Sequence, residues 1–194
     1  KRAREIRPYE LNPGETNEVY EEFFQELIQR TRANKSFDPL LKRAARRLAR
    51  IPTAGEGTKP IIGILGEIYV RMTPFANGFL EEEIENLGGE AWIVPLSELI
   101  FFRNQWFIDY NLRTFKPGEA LTWVVTDKVM RYYAHRYERA FRGTMKNAFD
   151  SIATKETMEL ADPFVYRGMW GETVPNIGRM VELIDHNMVH GIMN

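Results

Sequence analysis

A chain of 194 residues, 44% hydrophobic and 27% charged, is long enough for one sizeable core with an appendage. Its net charge of -1 gives no global attraction to nucleic acid or to an anionic membrane. It holds no cysteine, which excludes disulfides, thiolate nucleophiles and cysteine-ligated zinc or iron–sulfur centres within these residues. No apolar run approaches the ~20 residues of a membrane span and no signal-peptide pattern opens the chain, so a cytoplasmic protein is expected.

Residues 1–14 are polar and punctuated by Pro8 and Pro13, after which Val19, Tyr20, Phe23, Phe24, Leu27 and Ile28 predict an amphipathic helix. Asp38 and Pro39 open another, with Leu40, Leu41, Ala44, Ala45 and Leu48 on one face and Arg43, Arg46, Arg47 and Arg50 on the other. Residues 52–60 read as a linker. The expected organisation is a helical N-terminal arm and linker over residues 1–58 and an α/β body over 59–194.

The body begins with its clearest signal. Ile61, Ile62, Ile64 and Leu65 form the apolar run of a strand buried on both faces, with Gly63 and Gly66 allowing a close approach by backbone or ligand. Thr73 and Pro74 predict a helix start, with Phe75, Phe79, Ile84 and Leu87 on one face and Gly88-Gly89 as its stop. Ala91 to Val94 is a second strand, so the unit is βαβ-like with parallel strands. A helix follows from near Ser97 through Leu99, Phe102, Trp106 and Tyr110. A long one spans 119–142, carrying Leu121, Val125, Val129, Tyr132, Tyr133, Tyr137 and Phe141 as its apolar stripe.

The pattern fades after Thr144, with a short helix near 155–160 and a break at Asp162-Pro163. The last predicted helix, about 175–190, places Ile177, Met180, Val181, Ile184 and Met188 in amphipathic order, and Ile192 opens another strand after Gly191. The fold class that follows is α/β: a Rossmann-like three-layer domain with parallel strands and extra helices, preceded by the helical arm. A parallel sheet interrupted at its newest strand suggests a piece of a larger protein.

Four constellations could carry chemistry. The loop 66–77 follows the first strand, where an α/β fold presents its crevice, and offers Gly66, Glu67, Tyr69, Arg71 and Asn77. It is neither GxGxxG nor a P-loop, and a plain structural turn with Glu67 paired to Arg71 accounts for it equally well. Gly171 and Glu172 form a second Gly-Glu turn before a helix. Two such turns facing each other would bring two carboxylates together for acid–base work, whereas Glu172 bound to backbone amides or an arginine is the plainer alternative. His186 and His190 lie four apart, a metal-binding spacing, but on the solvent side of their helix, and no metal site is assigned. The basic face Arg43, Arg46, Arg47 and Arg50 suits a solvated surface or an acidic partner better than nucleic acid, because no nucleic-acid-binding motif accompanies it.

Arg7-Pro8-Tyr9-Glu10 with Gly14-Glu15-Thr16, then Gly66-Glu67-Ile68-Tyr69-Val70-Arg71, Pro74-Phe75, Asn77, Leu87-Gly88-Gly89-Glu90, and finally Gly171-Glu172 with Ile177-Gly178 form an ordered series. In that series the chain resembles the 2-hydroxyacyl-CoA dehydratase-related proteins, in particular the acyl-CoA dehydratase activase-related (CoA-substrate-specific enzyme activase) chains, over nearly its whole length. The resemblance implies anaerobic metabolism in which an ATP-dependent activase reduces an iron–sulfur component that delivers a low-potential electron to an acyl-CoA. It implies that this chain is a Rossmann-like domain of the iron–sulfur component, with the remainder of the parent chain, an activase domain or subunit and acyl-CoA as partners. No cofactor is expected in these residues. The family's cluster cysteines, one of which it places shortly after the point corresponding to Asn194, are missing here; either the chain is cut just upstream, and an iron–sulfur cluster is expected in the full-length protein, or this member has lost its cluster. The alternatives are a non-enzymatic interaction domain docking through the basic helix and a free-standing nucleotide-binding module.

Overall fold

The computed structural model describes residues 1–144 and 154–194. The chain divides into two units: Lys1–Lys59 joined by the chain from Tyr132, and Pro60–Arg131 joined by the chain from Thr154.

In the first unit, α1 (Arg2–Ile6) and a single 3-10 turn (Arg7–Tyr9) occupy the polar stretch before Pro13. Pro8 sits in the first turn of that 3-10 helix, where its missing N–H costs nothing. Helix α2 (Glu15–Arg32) packs on α3 (Asp38–Leu48) because Val19, Phe23 and Leu27 recur every fourth residue and meet Leu40, Ala44 and Leu48, with Ile6 and Ile51 closing the cluster. The Glu10 carboxylate caps α2 from outside, accepting from the Gly14 and Thr16 N–H groups at 2.6 and 2.8 Å. Glu10 also pairs antiparallel with Thr53, so the predicted linker is tied to the arm. Asp38 accepts from Arg136 at 2.5 and 3.1 Å, and the Arg136 guanidinium holds its carboxyl down at about 2.

The second unit is a helix-rich α/β assembly around a small parallel sheet. Strands β1 (Ile61–Ile64), β2 (Glu90–Ile93) and β3 (Gly191–Met193) lie in the order β2-β1-β3, with Gly63 opposite Trp92 and Ile192. The parallel pairing of the first two strands and the third strand at Ile192 are as the sequence predicts. Side chains alternate along the central strand. Ile62 and Ile64 meet Leu80, Ile84 and Ala91 on one face, while Ile61 and Leu65 meet Trp92, Met180 and the fully buried Leu183 on the other. Gly63 admits neither backbone nor ligand; a Cβ there would touch the Leu183, Leu65 and Val189 side chains at 3.5 Å.

Three predicted helices are revised. The helix expected from Thr73 to Leu87 forms only over α5 (Leu80–Asn86), and the loop predicted before it holds a separate short helix, α4 (Ile68–Met72). Asn77 Oδ1 accepts the Leu80 N–H at 3.1 Å and Phe79 takes a left-handed φ of 59°, which restarts the helix after a turn. Phe75 and Leu87, 84% and 87% exposed, therefore share no face with buried Ile84. Helix α6 (Leu96–Arg113) is as expected. In α7 (Pro117–Glu138), however, Leu121, Val125 and Val129 point outward. Its inward side is set by polar and aromatic partners: Trp123 stacks on Phe107 at 4.4 Å, and Asp127 accepts from the wholly buried Asn104 at 3.2 Å.

Helix α8 (Thr154–Ala161) packs closely on α9 (Thr173–Asp185), joining Phe102 of α6 around Met158, Ala161 and Val174. Helix α9 ends at Asp185 rather than His190: Asn187 adopts φ 49° and the Met188 N–H turns back to the Leu183 carbonyl at 3.0 Å. Among the described residues no helix is long and apolar enough to cross a membrane.

Candidate functional site

Strand β1 runs directly into the loop that the sequence singles out. Gly66 holds φ 97°, a backbone that suits glycine, and a Cβ there would come within 3.3 Å of Oδ1 of Asn194, the residue after β3. The turn is thus pressed against the end of the neighbouring strand. With the order β2-β1-β3, the first connection leaves β1 on one side and the chain returns on the other, so the carboxyl ends of β1 and β3 flank the point where the topology reverses.

Glu67 starts α4 by accepting the Val70 N–H at 2.9 Å. Arg71, one turn on, is only 4% exposed. From α9, Asn176 reaches both: its Nδ2 donates to the Gly66 carbonyl at 3.2 Å and its Oδ1 accepts from Arg71 Nη1 at 3.4 Å. Glu172, at the start of α9, faces the Ile68 N–H and lies within the fields of Glu67 and Arg71. The two Gly-Glu turns therefore come together, with Arg71 beside them. Gly171 supplies its turn with φ 108°.

The two carboxylates are pushed in opposite directions. Backbone N–H groups of Val70 and then Tyr69 hold exposed Glu67 below the usual carboxylate range. Burial, and then the charge of Glu67, push Glu172 up. The two environments thus differ in the sense that separates the pKa values of a carboxylate pair. Burial pushes Arg71 down, opposed by Glu172, Glu98 and Glu67.

Asn77 is placed differently: its amide donates to the Val70 and Arg71 carbonyls at 3.0 and 3.3 Å while its oxygen starts α5, so it joins two helices. Tyr69 is 65% exposed. Glu67 makes no ion pair with Arg71, in place of the pairing that the plain structural reading expects. Sequence reasoning missed Asn176 and the buried group in which Arg179 donates to Glu98 at 2.9 Å and pairs with Glu182. The available signal was the Arg179 and Glu182 pair, three apart on α9, whose buried face also carries Val174, Gly178 and Leu183, whereas Ile184 of the predicted stripe is 61% exposed.

The basic face of α3 is exposed but partly neutralised. Arg43 pairs with Glu26 and lies over the Phe23 ring at 5.4 Å, and Arg47 approaches Glu22 at 3.9 Å. Arg46 donates to the Lys42 carbonyl at 3.3 Å, and Arg50 is exposed. His186 and His190 do not share a helix: His190 Nδ1 accepts the Ile61 N–H at 3.0 Å beside β1. Among the described residues no group of three or more His, Asp or Glu side chains gathers as metal ligands. Compared with protein-family models, curated proteins and solved structures, the chain matches none.

Proposed function

We propose that the second unit is a Rossmann-like three-layer domain of an iron–sulfur, ATP-activated 2-hydroxyacyl-CoA dehydratase-type or activase-related protein. It frames one side of a cluster and acyl-CoA site and is not catalytic alone. The observation that carries the reading is the convergence of Glu67, Arg71, Glu172 and Asn176 at the carboxyl ends of β1 and β3, the place where open parallel sheets take ligands. The ordered series of motifs from Arg7 to Gly178 supports the family.

These residues do not fit an iron–sulfur cluster, since the chain has no cysteine to supply thiolate. In this reading the cluster ligands belong to the rest of the parent protein. What this chain contributes is proton handling by the Glu67 and Glu172 pair and positioning by Asn176, which holds the Gly66 turn and Arg71 in register. In the full-length protein, Glu67→Gln and Glu172→Gln should each lower acyl-CoA turnover by about 10²–10⁴ while leaving iron content unchanged. Full activity in both variants would remove the two glutamates from the mechanism.

A second reading, an interaction domain, rests on the exposed Arg46 and Arg50 beside Arg43 and Arg47. It predicts that reversing those four charges abolishes capture of the partner in a pull-down. Unchanged association would dismiss it.

A further inference from the structure

Arg71 is held as few structural arginines are. Its side chain is buried, yet among the described residues it has no ion pair, its one hydrogen bond is the 3.4 Å contact with Asn176, and its Nε is enclosed without any acceptor. Three carboxylates lie near enough to be felt, and each is engaged elsewhere. Glu67 accepts the Val70 N–H, Glu98 accepts from Arg179, and Glu172 faces the Ile68 N–H at the start of α4. A buried guanidinium has five N–H groups to satisfy and cannot shed its charge, so leaving it unpaired is costly unless something else completes it.

We propose that Arg71 is the recognition residue for an oxyanion, a carboxylate or phosphate group, that enters the crevice at the ends of β1 and β3 and completes the guanidinium with paired hydrogen bonds. The fork geometry of arginine suits two oxygens of one group, and Asn176 fixes its orientation. The neighbouring acids oppose this less than their number suggests. Glu67 is exposed, where solvent screens its charge, and burial pushes Glu172 up from the ordinary carboxylate range. The proposal rests on the crevice placement of the functional reading, and needs neither the cluster nor the thioester.

Calorimetric titration of the chain with acetate, inorganic phosphate and CoA tests it. Saturable binding of acetate or phosphate is expected, weakened at least tenfold by Arg71→Lys, which keeps the charge and loses the fork, and abolished by Arg71→Met. Acetate alone would indicate a carboxylate ligand; phosphate displaced by CoA would indicate the cofactor's phosphates. The Arg71 Nε–H resonance, assigned by its loss in Arg71→Lys, should shift on saturation, which keeps the test decisive even where Arg71→Met fails to fold. No binding of either small anion, equal affinity in Arg71→Lys, or a fixed resonance would overturn the proposal. CoA binding that ignores Arg71 would overturn it and leave the functional reading standing. Arg71-dependent anion binding without CoA binding would support it and count against that reading.

Discussion

Gly178 sits where α9 crosses α8, and replacing it with alanine tests that packing directly. An added Cβ would lie 1.9 Å from the Thr157 carbonyl oxygen, 2.8 Å from its carbon and 3.0 Å from Thr157 Cγ2. The oxygen is backbone and cannot swing away, so the helices must part by roughly 1.5 Å to restore contact distance. Overpacking of this severity belongs at the top of the usual range, about 3 kcal/mol. A gap of that size around Met158, Ala161 and Val174, all 2% exposed or less, forfeits about 1 kcal/mol more. Alanine returns about 1 kcal/mol through helix propensity. The net loss is about 3 kcal/mol, equivalent to a drop of roughly 6–12 °C in Tm for a chain of this size. Urea denaturation followed by tryptophan fluorescence measures it. Gly118→Ala is the control: nothing lies within 4 Å of its Cβ position, and it should stabilise by about 0.5 kcal/mol. A loss below 1 kcal/mol in Gly178→Ala would refute the close crossing of α8 and α9.

Leu183→Ala removes a fully buried side chain from beneath the sheet and should cost about 2–5 kcal/mol in the same assay; a cost under 1 would contradict its burial. Leu121→Ala and Val125→Ala, on the outward side of α7, should each change stability by no more than about 0.5 kcal/mol, whereas core positions would lose several times that. Glu172 provides a test in pH. Its folded pKa lies above the unfolded value, so the folded state binds its proton more tightly, and its contribution to stability is fully present below the unfolded pKa near 4.5 and is lost as pH rises through the folded pKa. Glu172→Gln should remove that part of the pH profile; an unchanged profile would contradict the raised pKa.

The parallel strands were legible because Ile61, Ile62, Ile64 and Leu65 form a short apolar run of the kind a strand covered on both faces carries, and Gly88-Gly89 and Gly191 mark the starts of its two neighbours. The break between α4 and α5 was not, because Asn77 caps through a side-chain oxygen that looks like any other loop asparagine. The apolar stripe of α7 misled for a related reason. Periodicity identifies a face, but the buried Asn104 and its partner Asp127 decide which face turns in. At the site, the two Gly-Glu turns were visible as turns. Their convergence depends on Asn176 bridging Gly66 and Arg71 across 110 and 105 positions of sequence, which no local pattern encodes.

The central claim is that this domain belongs to an iron–sulfur, acyl-CoA-directed machine. The most direct test is the iron content and EPR spectrum of the anaerobically purified full-length parent protein. Bound iron with a reducible cluster signal, perturbed by added acyl-CoA, is the predicted result. A well-folded, iron-free protein would contradict the claim and leave the interaction reading in its place.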